Sequence, residues 1–232
     1  MDSRTAILNK IKKALSDVDK TQLQEPALPR IWDKTGKTRE ELIEIFSQNL
    51  TSVAGQPVVC ENDQDAYSKI ASVLSEIASK SERPSPYRLG VYPSAIAQET
   101  AKSVLATLDN WIAYPIPEDQ KVDPKTYEPM TASLVTPLLL LSDTGSCAVE
   151  GRTAYERLLC YLSPVCLVVA RASQLREHLP DAWDEIETKL RTPGQTGEIA
   201  LITGPSRTAD IEKKLVLGVH GPQRLIVFIL KD

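Results

Sequence analysis

Apolar residues spaced three and four apart alternate with short continuous apolar runs along most of the chain. Residues 38–55, "TREELIEIFSQNLTSVAG", place Leu42, Ile45, Phe46 and Leu50 on one helical face. Thr38 and Glu41 have capping-box spacing, and Gly55 suits the stop. "PVVCE" then predicts a strand. Residues 65–80 predict a helix with Ile70, Val73, Leu74 and Ile77 inward. "YRLGVY" predicts a strand, residues 95–108 a helix and "WIAYP" a strand. This alternation predicts an α/β fold, a mostly parallel sheet with helices on both faces.

The second half is less regular. "ASLVTPLLLLSDTGSCAVEG" brings a long apolar run, a tight turn at Asp143, Thr144 and Gly145, and a short strand. "PVCLVVA" predicts a strand, and residues 173–190 a helix bent or interrupted at Pro180. Residues 192–197 predict a flexible loop. Residues 198–230 read as strand, loop, helix, loop, strand. The connection from Gly204 to Gln223 is long enough for a right-handed parallel crossover. At the start, residues 3–18 predict a helix with Ile7, Leu8, Ile11, Leu15 and Val18 on one face. Pro26 and Pro29 follow and mark a linker. The expected organisation is a helical arm with its linker over residues 1–30 and an α/β domain over residues 31–232.

Composition narrows the chemistry. With 232 residues, 42% of them apolar and a net charge of −4, the chain has the balance of a globular protein and no basic footprint for nucleic acid. Cys60, Cys147, Cys160 and Cys166 form no CxxC pair, and His178 and His220 are the two histidines. A four-ligand zinc site or an iron–sulfur cluster is therefore not expected, and no metal or cofactor is assigned to this chain. The cysteines read as small buried apolar side chains. The N-terminus has no continuous apolar core of a signal peptide, and Pro137–Leu141 is too short to span a bilayer. A cytoplasmic chain with reduced thiols is expected. Walker A, GxGxxG and GxSxG patterns are absent from the sequence.

The densest cluster of special residues lies near the C-terminus. Gly204 and Pro205 end a strand, and Ser206 or Thr208 can cap a helix whose first turns hold Asp210 and Glu212. That accounts for all but Arg207. A helix N-terminus after a parallel strand favours anions, and Arg207, with the Ser206 and Thr208 hydroxyls, could grip a carboxylate or phosphate. Asp210 and Glu212 count against this, and a structural Arg207–acid pair is the competing reading. His220, between Gly218 and Gly221, is either a turn residue or a general acid/base. Asp143 and Thr144 are either turn chemistry or part of the same cleft. His178, with acidic neighbours on the expected helix, reads as a solvated surface residue.

The segment "ITGPSRTADIEKKLVLGVHGPQRLIVFIL" closely resembles the C-terminal signature of the lactate-utilization protein C family, the stand-alone LUD-domain proteins. "SDTGSCAVE" resembles the family's acidic-Thr-Gly turn, with Asp143 where Glu is common, and "SRTAILNKIKKAL" resembles its start. The run of four leucines after Pro137 departs from the family's small and polar residues. The resemblance implies a Rossmann-like α/β sheet similar to the ribose-phosphate isomerase and CoA transferase-like superfamily. It also implies a role in oxidising L-lactate to pyruvate beside sister proteins that carry the iron–sulfur clusters, with this chain a cluster-free accessory or ligand-binding subunit. A stand-alone enzyme or regulatory module for a small anionic or phosphate-bearing ligand is the alternative, and a homo-oligomer stays open. Glutamate motifs of CoA transferases and acidic motifs of the isomerases are missing, so the resemblance brings no catalytic residues. Its ligand-site candidates are Gly204, Ser206, Arg207, Thr208, Asp210, His220, Asp143 and Thr144.

Overall fold

A computed structural model describes residues 3–16, 35–114, 124–190, 198–209, 215–217 and 221–232. The chain divides into two units, Met1–Asp33 and Lys34–Asp232. In the first, helix α1 (Ser3–Ser16) leaves Ile7, Leu8, Ile11 and Leu15 exposed. Val18, Pro26 and Pro29 lie outside the described residues.

The second unit is built on a six-stranded sheet of β1 (Gln56–Cys60), β2 (Tyr87–Val91), β3 (Trp111–Ala113), β4 (Ala132–Val135), β7 (Val165–Arg171) and β12 (Arg224–Leu230). All neighbours pair in parallel, in the order β1-β12-β7-β4-β2-β3. The central strands are apolar throughout because both their faces are covered. In β12, Leu225, Val227 and Ile229 enter one core cluster, and Ile226, Phe228 and Leu230 enter the other. Helices α3 (Asp63–Lys80) and α4 (Ala95–Leu105) cover one face. Helices α2 (Arg39–Ser52) and α6 (Ala154–Tyr161) cover the other.

Above that second face lies a four-stranded sheet, in the order β8-β5-β6-β9, made of β5 (Leu139–Leu141), β6 (Ser146–Gly151), β8 (Leu175–Arg176) and β9 (Glu198–Ile202). Its outer face buries Leu139, Leu141 and Ala148 against Ala182 and Ile186 of α7 (Leu179–Leu190). A short helix, α5 (Pro124–Tyr127), precedes β4. The parallel α/β fold expected from the alternation is present. Residues 41–50 form a helix with the Thr38–Glu41 capping box in place, although Ile43, not Ile45, completes its buried stripe.

Three expectations are corrected. The helix expected after Ser206 is not formed by the residues described there: β10 (Arg207–Ala209) pairs antiparallel with β11 (Leu215–Leu217). The Leu-Val-Leu run prefers this extended pairing. Since β9 belongs to the small sheet and β12 to the large one, no parallel crossover joins them. Residues 173–190 are not one bent helix either. A single 3-10 turn and β8 come first, and α7 starts at Leu179 with Pro180 in its first turn, where a missing N–H costs nothing. Finally, α6 went unread, although Thr153 and Glu156 form a complete capping box at its start.

Candidate functional site

The turn at Asp143, Thr144 and Gly145 joins β5 to β6 and sits on α2. Asn49 of α2 donates from Nδ2 to the carbonyl oxygens of Ser142 at 2.8 Å and Asp143 at 3.0 Å. Gly145 has φ +66°, the left-handed conformation such a turn needs. Its partner loop reaches the same helix, because Gly204, with φ +78°, lies against Val53 at the helix end. A row of hydroxyls connects the two: Ser146 Oγ donates to Thr144 Oγ1 at 2.8 Å and lies 2.6 Å from Thr203 Oγ1. The fold thus brings Asp143 and Thr144 beside the strand end that leads to Gly204.

The rest of the C-terminal cluster points elsewhere. Ser206 donates its N–H to the carbonyl of Pro222, and Gly221 packs on Ser206 and Tyr161. Pro222 directly precedes β12, so this junction lies at the amino-terminal edge of the parallel strands. Ligands of open α/β sheets sit at the opposite, carboxyl-terminal edge. Arg207 is exposed on β10, and without a helix behind it there are no free helix N–H groups or dipole to assist it. Thr208 lies in the same strand. Asp210 and His220 are outside the described residues.

At the carboxyl-terminal edge, β2 and β4 feed connections that diverge, β2 toward β3 and β4 toward β7. Ser94, the N-cap of α4, there meets Thr136 with the two hydroxyl oxygens 2.9 Å apart. Tyr92 spans the gap and donates its hydroxyl to the carbonyl of Glu150 at 2.8 Å.

The strongest electrostatic cluster was not anticipated. His178 is not a solvated residue of a helix face; it precedes α7, and its side chain is only 13% exposed. Its Nε2 lies 3.8 Å from Glu177 Oε1 and 3.9 Å from Asp181 Oδ2, and its Nδ1 lies 4.0 Å from Asp143 Oδ2. Glu177 accepts from the Thr35 N–H at 3.1 Å, from the Thr35 hydroxyl at 2.6 Å and from Lys37 Nζ. Burial acts to raise the Glu177 carboxyl, but the hydrogen bonds from Lys37 and Thr35 outweigh it and hold the group at about 2. The cluster joins the approach to α2, the β5–β6 turn and the start of α7, and Asp143 is the one residue it shares with the sequence-derived candidates.

The cysteines have no part in either region. All four are buried. Burial pushes the thiols up, to about 11 for Cys60 and about 12 for Cys166, so they stay protonated at neutral pH.

A protein-family model described as the LUD domain matches residues 43–230. The chain belongs to the LUD-domain family. It is 24% identical over 204 residues to the lactate utilization protein C of Bacillus pumilus strain SAFR-032, spanning 87% of this chain and 83% of that one. It is 32% identical over 109 residues to the lactate utilization protein C of Macrococcus caseolyticus strain JCSC5402, spanning 46% and 43%. The crystal structure of a DUF162 family protein from Deinococcus radiodurans is similar with a TM-score of 0.55 at 14% identity, covering 84% of this chain and 99% of that one. That likeness shows the fold.

Proposed function

We propose that this LUD-domain protein takes part in lactate utilization, as a cluster-free accessory or ligand-binding subunit of a system that oxidises L-lactate to pyruvate. The observation that carries the reading is the similarity to lactate utilization protein C along 83% of that protein's length, with the LUD-domain match over residues 43–230. The four cysteines form no CxxC pair and are buried, which supports placing the iron–sulfur centres in partner proteins. Within this reading Arg207 is the donor for a small carboxylate: its guanidinium is exposed and offers a planar, bidentate fork. Among the described residues no helix is long and apolar enough to cross a membrane.

Reconstitution tests it. The purified chain, the iron–sulfur partner proteins and an artificial electron acceptor are combined with L-lactate. Pyruvate formation should need the complete mixture. Turnover by this chain alone, or an undiminished rate without it, would overturn the reading.

A further inference from the structure

We infer that Glu177, His178 and Asp181 form a binding site for one divalent first-row transition-metal cation, with Asp143 orienting the histidine. The cysteine spacing and the two histidines gave no expectation of a four-ligand site; the fold assembles a donor set of one histidine with carboxylates. One ligand atom from each of Glu177, His178 and Asp181 lies within 4.8 Å of the others. A shared ion about 2.0–2.2 Å from each would set them roughly 3.0–3.6 Å apart, so the observed 3.8 and 3.9 Å need only a small contraction.

Two orphaned polar atoms point to an occupant. Among the described residues His178 Nε2, shielded from solvent, has no hydrogen-bond partner, a state buried nitrogens rarely keep. Its Nδ1 lies 4.0 Å from Asp143 Oδ2, so a small shift would let Nδ1–H donate to that carboxylate and turn Nε2 toward a metal. Independently, Ser142 is 1% exposed and its Oγ also lacks a partner among the described residues. Ser142 lines a cavity of about 70 Å³ with Lys37, Leu42, Ile45, Asp143 and Glu177, next to one of the proposed ligands. One imidazole with carboxylates suits Zn²⁺, Mn²⁺ or Fe²⁺ better than the all-oxygen sites of Ca²⁺ and Mg²⁺.

Lys37 fixes the sign of the test. Its ammonium pairs with Glu177 Oε1, the same atom that would ligate the cation. Lys37 is 30% exposed on a flexible stem and can swing to solvent. Metal and ammonium therefore compete for one carboxylate.

The test titrates Zn²⁺ into chelator-treated full-length protein by calorimetry, with metal content checked by elemental analysis. One Zn²⁺ per chain is expected. Asp143→Asn should weaken binding by about 10- to 100-fold, and His178→Ala by more. Lys37→Met should tighten it, by roughly fivefold if the ion pair has the strength usual for partly exposed pairs. Should His178→Ala fail to fold, Glu177→Gln reports on the same site. No stoichiometric uptake by the wild type, unchanged binding in Glu177→Gln, or weaker binding in Lys37→Met would each overturn the site. Replacing Zn²⁺ with Co²⁺ guards against a cysteine site, since a thiolate charge-transfer band would also overturn it.

Discussion

Gly145 lies so close to Leu50 that a Cβ on it would stand 2.4 Å from the Leu50 amide nitrogen. The obstacle is helix backbone, which cannot rotate away, and φ at Gly145 is +66°. Gly145→Ala should therefore combine left-handed strain with overpacking, a loss on the order of 2–5 kcal/mol. Gly36 has a similar φ of +68° but open space around its Cβ position. Gly36→Ala should cost only the strain, about 1–2 kcal/mol. Urea unfolding of both variants checks the contrast; equal losses would show that the approach to α2 is not what selects glycine.

Tyr155 ties α6 to the large sheet. Its ring is 1% exposed, and its hydroxyl accepts from the Val91 N–H and donates to the Val91 carbonyl, each at 3.2 Å. Burial pushes this phenol up to about 12, so it remains a donor throughout the stable pH range. Tyr155→Phe would leave both backbone groups unpaired at the end of β2, a loss of about 1–3 kcal/mol. A stability within a few tenths of a kcal/mol of wild type would mean water replaces the hydroxyl.

The Lys37–Glu177 pair makes a prediction in acid. Glu177 is lowered from an ordinary 4.5 to about 2, so its contribution is fully present above about pH 4.5 and is lost as pH falls toward 2. In Lys37→Met the folded and unfolded values draw together. The variant should begin less stable at neutral pH and lose less on acidification from about pH 5 to pH 2.5. Parallel thermal-melting curves for the two proteins across that interval would contradict it.

These relationships also show where reading the sequence stopped. Helix α2 was legible because its cap and most of its stripe are local, although Ala54 (φ 64°), not Gly55, takes the left-handed position that ends it, and β7 and β12 because burial on both faces leaves uninterrupted apolar runs. The segment from Ser206 to Leu217 misled because hydroxyl, acidic and lysine residues in that order imitate a capped helix, while the pairing of Arg207–Ala209 with Leu215–Leu217 leaves no period of its own. The acidic cluster was hidden for a different reason. Glu177 meets Thr35 and Lys37 across 142 and 140 positions of chain, and His178 meets Asp143 only because α2, the β5–β6 turn and α7 converge. The EH-x-x-D spacing of residues 177–181 was visible, but nothing local distinguished it from a solvated helix start.

Arg207 remains the decisive residue for the proposed function, and its setting sharpens the test. Without a helix behind it, it neither caps nor is capped, and its exposed side chain should contribute little to folding. Arg207→Ala should leave the melting temperature nearly unchanged, as surface substitutions generally do. If the guanidinium grips a carboxylate, the same change removes a charge-assisted contact of about 1.5–3 kcal/mol, a roughly 10- to 150-fold loss in affinity. In the reconstituted system this should appear as a raised lactate requirement. Arg207→Lys should restore only part of it, because an ammonium lacks the planar fork. A structural role predicts the reverse pattern, a lowered melting temperature with lactate oxidation intact, and that result would remove Arg207 from the ligand site.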